Sequence, residues 1–161
     1  MSKERENKTN AMRFLDRNHV AYQVHTYTCE NFVDGVQIAR MLGQNEEESF
    51  KTLCTVAKSG AYYVFVLPVS RELDLKKAAK SVNEKSIEML HVKEIQSITG
   101  YIRGGCSPLG MKRQFHTVID SHVLLHDRII ISGGKLGTQI ILSPKDLIQV
   151  IHADVTDIIY T

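Results

Sequence analysis

The residues best suited to chemistry fall in residues 100–110, GYIRGGCSPLG, which hold four of the chain's ten glycines and one of its three prolines. Gly104-Gly105 carries no Cβ, so its backbone can take positive φ or come close to a ligand. Ser107-Pro108-Leu109-Gly110 adds a turn in which Pro108 fixes φ. Successive amides in such a segment can point into one concavity and hold an anion or a polarised carbonyl. The same composition also makes a plain tight connection between two elements. A second cluster, Ser132-Gly133-Gly134-Lys135-Leu136-Gly137, follows an apolar run. It is not a P-loop, because GxxxxGK[ST] is absent, and no GxGxxG dinucleotide fingerprint occurs either. Two glycine-bearing loops after two strands suggest a pocket built from backbone amides.

Lys51 heads a β-rich run beside the aromatic Phe50. It reads as a strand-end side chain that keeps its charge in water or, if partly buried, as an electrostatic anchor for a carbonyl or phosphate oxygen. An activated nucleophile is harder to find. Ser107 and Ser132 lack the GxSxG elbow. Cys106 has no histidine assigned to it by spacing and reads as a small residue on the packed side of its loop. No paired carboxylates stand at a glycosidase-like spacing.

Metal chemistry finds no support: of seven histidines the closest pair, His122 and His126, lacks a matching ligand pattern. Cys29, Cys54 and Cys106 are odd in number and far apart, which argues against a disulfide framework and a CxxC site. The net charge of +2 says little about nucleic acid. Distribution says more. Lys76, Lys77, Lys80, Lys85, Arg103, Lys112, Arg113 and Lys135 crowd one half of the chain and would suit a polyanion laid beside the loops. No RNA-binding signature accompanies them, which favours recognition of a backbone and a terminus.

The elements that must carry these residues follow from periodicity and breakers. Thr9-Asn10 caps a helix over 11–18, and residues 20–27 alternate as a strand. After a loop at 28–33, Asp34 caps a helix over 35–42 that Gly43 ends. Residues 50–57 and 61–69 form a hairpin across Lys58-Ser59-Gly60. Asp74 opens a helix to residue 81 with Lys76, Lys77 and Lys80 on its outer face. A short segment at 86–90 and a helix at 92–97 lead to the first glycine loop. Strands are expected at 117–119, 128–131 and 138–142, then a helix at 145–152 behind Ser143-Pro144, and a last strand at 155–160. Hairpins mix with helices, so the fold class is α+β with a mixed, largely antiparallel sheet. At 161 residues one domain spanning 1–161 is expected, with residues 1–8 a flexible polar tail. No apolar run is long enough to span a membrane, and the polar N-terminus lacks a secretory signal, so a cytoplasmic protein is expected.

The motifs HTY (25–27), FKTL (50–53), LDLKKAAK (73–80), TGYIRGGCSPLG (99–110) and ISGGKLG (131–137) resemble, in the same order, those of the YbaK/EbsC proteins. These are free-standing Cys-tRNA(Pro) deacylases related to the editing domain of bacterial prolyl-tRNA synthetases. The resemblance implies a curved mixed sheet with surrounding helices, and hydrolytic clearing of cysteine from tRNA(Pro). It implies no cofactor. By position, Lys51 would lie near the 3′-terminal adenosine and the scissile ester, and Gly104 would offer its amide to the substrate carbonyl. Tyr27 and Phe32 would shape the aminoacyl pocket, Gly105 and Ser107 would complete the first loop, and Ser132 and Gly133 would line the opposite wall. Gln139 stands where relatives carry a polar, often acidic residue, so its amide oxygen would accept from the substrate's α-amino group in place of an ionic hold. In this family the substrate's own thiol attacks its ester carbonyl, which would explain the missing nucleophile. Partners would be the aminoacyl-tRNA acceptor end and prolyl-tRNA synthetase. Two alternatives stay open: a deacylase for Ala-tRNA(Pro) or another small aminoacyl-tRNA, and a tRNA- or synthetase-binding module without catalysis.

Overall fold

The computed structural model describes residues 8–161. In chain order these form α1 (Asn10–Arg17), β1 (Gln23–Thr26), α2 (Gly35–Met41), β2 (Phe50–Ala57), β3 (Tyr62–Pro68), α3 (Leu75–Ser81), β4 (Ile87–Met89), α4 (Val92–Thr99), β5 (His116–Asp120), β6 (Ile129–Ser132), β7 (Thr138–Leu142), α5 (Pro144–Val150) and β8 (Asp154–Thr156). Apart from Lys8, which pairs with Asp16, the tail expected over 1–8 lies outside the described residues.

Local chemistry sets the helix starts. Thr9, Asp34 and Asp74 each accept a main-chain N–H of the first turn through their side chains, which satisfies donors that a helix leaves orphaned. Pro144 opens α5, where its missing N–H costs nothing. Gly100, at φ 89°, ends α4 two residues later than the composition suggested. The first strand is shorter than expected. Val20 is not in it, because its amide returns to the Leu15 carbonyl and His19 adopts φ 56° to close α1.

The strands form two open ladders, β1-β7-β6 and β4-β2-β3-β5-β8. Antiparallel pairing joins β1 to β7, β6 to β7, and β2 to both β3 and β4. Parallel pairing joins β3 to β5 and β5 to β8. The class is therefore α+β and largely antiparallel, with the sheet divided into two ladders that meet at the isolated bridge between Ser49 and Ile130. Because strand side chains alternate, β3 serves two cores. Val64 and Val66 pack with Phe50, Leu109, Ile119 and Ile131. Phe65 and Leu67 pack on the other face against Ala78 and Ala79 of α3, with Val118 and Ile158.

Asp120 ties down the C-terminal segment. Its carboxylate is fully buried and accepts from the amides of His122 (3.0 Å) and Ile158 (3.1 Å), and it pairs with His122 Nδ1 at 2.7 Å. Asp120→Ala leaves those buried donors without an acceptor and is expected to cost about 3 kcal/mol. Urea unfolding checks this; a change below about 0.5 kcal/mol would show that the carboxylate does not hold β8 in place.

Candidate active site

The two glycine loops touch, and their backbones make the contact. A Cβ on Gly105 would lie 2.9 Å from Lys135 Cα, with Lys135 N and C each at 3.2 Å. Gly105 donates its amide to the Ile102 carbonyl at 3.0 Å, closing a turn whose third residue, Gly104, sits at φ 85°. Such a turn needs positive φ at that position, and glycine supplies it without strain. Gly104 is exposed and wedged between side chains: a Cβ there would come within 2.7 Å of Leu136 and 2.9 Å of Phe32. Its N–H meets no acceptor among the described residues. The start of α1 pins both loops. Thr9 Oγ1 donates to the Gly133 carbonyl, and a Cβ on Gly110 would lie 2.5 Å from the Asn10 carbonyl oxygen.

Phe32 is 45% exposed, and the Arg103 guanidinium stacks over its ring at 4.1 Å, a cation–π pair. Tyr27 lies five residues earlier, its amide donating to the Gly137 carbonyl at 2.9 Å. With Cys29, Val33, Ile38 and Met41 it lines a cavity of about 280 Å³ between the 27–33 segment and α2. Burial pushes the Tyr27 phenol up from its ordinary value.

Lys51 stands apart. It pairs with Leu67 across the β2–β3 ladder, so it leaves the sheet on the face that Leu67 and Phe65 share. Cys54, which touches Cys106 of the first loop, leaves on the other. Lys51 Nζ donates to the Val69 carbonyl at 3.4 Å and makes no hydrogen bond to either glycine loop among the described residues. Burial lowers its pKa from the ordinary 10.5, opposed by the nearby charges of Glu72 and Asp34. Asp34 gives the connection: it lies two residues after Phe32, and two extended residues span about 7 Å. The 32–34 segment thus has the Gly104 wall at one end and Lys51 at the other.

Four expected site residues are engaged elsewhere. Ser107 is fully buried, and its hydroxyl accepts the Leu109 amide at 3.2 Å, so it shapes the loop and does not face a substrate. Ser132 Oγ accepts the Gly134 amide at 3.2 Å, and Gly133 returns its amide to the Thr138 carbonyl at 2.8 Å. Gln139 is buried and forms a two-way amide pair with Gln44, while its Oε1 also meets His25 Nδ1 at 3.1 Å. That oxygen accepts two donors already, which removes the acceptor expected for an amino group. Gln44 lies in no motif of the sequence, and Leu136, although inside the second glycine cluster, is an apolar residue that names no chemistry of its own. The His25–Gln139 contact follows from strand register, in which the two are paired.

The basic residues also divide. Arg103 and Lys135 lie on the glycine loops, whereas Lys76, Lys77 and Lys80 belong to α3 on the far face of the sheet. Lys77 is not on an outer face, since it binds Asp157 and the Ile159 carbonyl. Among the described residues no group of three or more His, Cys, Asp or Glu could hold a metal, and no helix is long and apolar enough to cross a membrane.

Residues 29–150 match the family model of the aminoacyl-tRNA editing domain. The chain is 40% identical over 157 residues, 97% of its length and 96% of the relative's, to an Enterococcus faecalis protein named "Putative Cys-tRNA(Pro)/Cys-tRNA(Cys) deacylase EbsC". The fold is similar to the crystal structure of a hypothetical protein, with TM-score 0.86 and 20% identity over 94% of this chain and 99% of that one. It is also similar to that of a "putative trans-editing enzyme for prolyl tRNA synthetase", with TM-score 0.82 and 22% identity over 94% and 96% of the two chains. At such identities these structures bear on the fold alone.

The loop contact makes its own prediction. Gly105→Ala forces the Lys135 backbone away and is expected to cost about 2 kcal/mol, as overpacking does. Gly60→Ala separates backbone strain from crowding, because nothing lies within 4 Å of that position although its φ is 93°. Equal melting temperatures for Gly105→Ala and the wild type would mean that the two loops are not in backbone contact.

Proposed function

The chain belongs to the aminoacyl-tRNA editing domain family, and from that premise we propose that it is a free-standing deacylase that removes cysteine mischarged on tRNA(Pro). The observation that carries the chemistry is the Gly104 amide, exposed at a strained-for-others φ of 85° and without an acceptor among the described residues. It serves as oxyanion donor to the ester carbonyl. A preorganised donor of this kind needs no reorganisation when charge develops on that oxygen.

Every hydroxyl and thiol of the two loops already has a partner. Ser107 closes its own turn, Ser132 binds Gly134, and Cys106 faces Cys54. This supports the substrate's own cysteine thiol as nucleophile. Its sulfur bonds to the carbonyl carbon, the carbon–oxygen bond of the ester breaks, and the thiol proton ends on the 3′-oxygen of the tRNA. A cyclic thiolactone leaves. The protein contributes orientation, which holds the thiol near its own carbonyl, and electrostatics from Gly104 and the half-buried ammonium of Lys51. The cavity beside Tyr27 receives the aminoacyl side chain, and Phe32 packs beside Gly104.

Recognition of the tRNA is confined to the acceptor end. Arg103 and Lys135 are the cations on the loops, and two phosphate contacts to a single-stranded end give a salt slope of only about −1.4 in log–log form. So little electrostatic footprint cannot select one tRNA, which supports prolyl-tRNA synthetase as the partner that does, in the cytoplasm where charged tRNA resides. A measured slope several times steeper would point to a larger RNA surface on this chain.

Lys51→Ala is expected to lower deacylation of Cys-tRNA(Pro) about a hundredfold with the fold intact. Because the protonated ammonium is the active form, the enzyme-dependent rate falls as pH rises through a value below the ordinary 10.5. Lys51→Arg keeps its charge and should lose that alkaline limb while retaining part of the activity. The decisive assay compares Cys-tRNA(Pro), Cys-tRNA(Cys) and Ala-tRNA(Pro). Inertness toward all three would overturn the enzyme reading, and preference for the alanyl ester would overturn the substrate-thiol mechanism.

A further inference from the structure

Two of the chain's three cysteines meet across the loop–strand boundary. Cys54 Sγ and Cys106 Sγ lie 3.5 Å apart, although 52 residues separate them in sequence. Cys54 is on the middle of β2, held in register with Val64, and is 8% exposed. Cys106 is half-buried and follows Gly104 by two residues in the loop that seats on Lys135. We propose that Cys54 and Cys106 form a reversible disulfide under oxidation, a modification site that staples the first glycine loop to β2 and lowers deacylation.

The geometry favours this bond over other fates of the thiols. A disulfide needs its sulfurs at about 2.05 Å, so the pair must close by about 1.5 Å, a motion a glycine-bearing loop can make more readily than a central strand. The hydrogen bond between the two thiols lowers the pKa of Cys54 and outweighs burial there. Cys106 is pushed the other way by the same partner and by burial. With hydrogen peroxide as oxidant, the Cys54 thiolate attacks one peroxide oxygen and expels hydroxide, giving a sulfenic acid. The Cys106 sulfur, losing its proton, then attacks the sulfenic sulfur and expels a second hydroxide. Two thiols lose two electrons and two protons, the S–S bond forms, and peroxide becomes two waters. A thiol reductant reverses the change.

The effect on rate rests on the function proposed above, whereas the bond itself does not. Drawing Cys106 toward β2 shifts the Gly104 turn relative to Phe32 and Leu136, and a misplacement of about 1 Å can cost up to a hundredfold in rate. Cys29 does not take part: its thiol donates to the Asn31 carbonyl in the segment before Phe32.

The test exposes the full-length protein to hydrogen peroxide, quenches it, and maps peptides without reduction. The expected result is a 54–106 cross-linked pair with the loss of two hydrogen masses, a melting temperature raised by about 5–10 °C, and deacylation of Cys-tRNA(Pro) lowered at least about tenfold. Reductant should restore all three. Cys106→Ser and, separately, Cys54→Ala should keep basal activity, lose the cross-link and become indifferent to this oxidant dose. Failure of the pair to cross-link, with only Cys29 adducts or over-oxidised thiols recovered, overturns the site. A cross-link with unchanged deacylation overturns its control of the enzyme. An untreated protein inactive on every aminoacyl-tRNA would instead count against the proposed function, and the peptide map and melting shift would still judge the bond.

Discussion

The site depends on a backbone-to-backbone contact between the two glycine loops. Gly105 can sit on Lys135 only because neither side interposes a Cβ, and that approach fixes where Gly104 stands. The contact has little energy of its own, so it is held from outside. Thr9 binds the Gly133 carbonyl, Asn10 fills the space over Gly110, and the Tyr101 hydroxyl caps the Leu109 carbonyl. The first turn of α1 thus acts as a clasp across both loops. Its N-cap residue does two things at once, since the Thr9 hydroxyl also accepts the Met12 amide. A helix start and a site wall share one side chain.

The second organising fact is the two-faced β2–β3 hairpin. Val64 and Val66 face the loops, Phe65 and Leu67 face α3, and the register puts Lys51 with the latter. A lysine at the head of the strand can escape that assignment, because its long stem reaches past the strand end to the Val69 carbonyl. The 32–34 segment then links the lysine and the loops, with Phe32 against Gly104 and the Asp34 charge acting on Lys51. Any coupling of the ammonium to the Gly104 wall therefore runs through this connection, since among the described residues Lys51 itself bonds only the Val69 carbonyl.

The fold was legible where signals are local. Capping residues Thr9, Asp34 and Asp74, the Lys58–Gly60 turn and the Pro144 start all act within a few residues, and each element appears where they put it. Parallel pairing of β3 with β5 and β5 with β8 was not legible, since it joins segments about 50 and 36 residues apart with no sequence mark of partner choice. The site divides the same way. The glycines of both loops announced themselves by composition. The roles of Ser107, Ser132 and Gln139 did not, because a buried hydroxyl that closes a turn and one that binds a substrate are the same letter. Gln139 shows the reason most clearly: its acceptor is consumed by Gln44, 95 residues away, and by His25 across the ladder. The basic cluster misled for the same cause, as closeness in sequence put α3 beside loops that lie on the other face.

A site without its own nucleophile has a consequence for specificity. A cavity of this kind separates small side chains by roughly 10- to 200-fold, because one methyl or thiol carries only a little contact energy. If the acyl group must supply the attacking atom, discrimination no longer depends on that contact. On the proposed mechanism a prolyl ester held at Gly104 carries no thiol, so its carbonyl would have nothing to react with but water. Water must reach the site, be oriented and be deprotonated, and the hydroxyls and thiol of the two loops that might have assisted are bound to Leu109, Gly134 and Cys54. On that mechanism the engagement of these side chains would be part of the selectivity. A serine freed from its turn would make the site a better esterase and a worse editor.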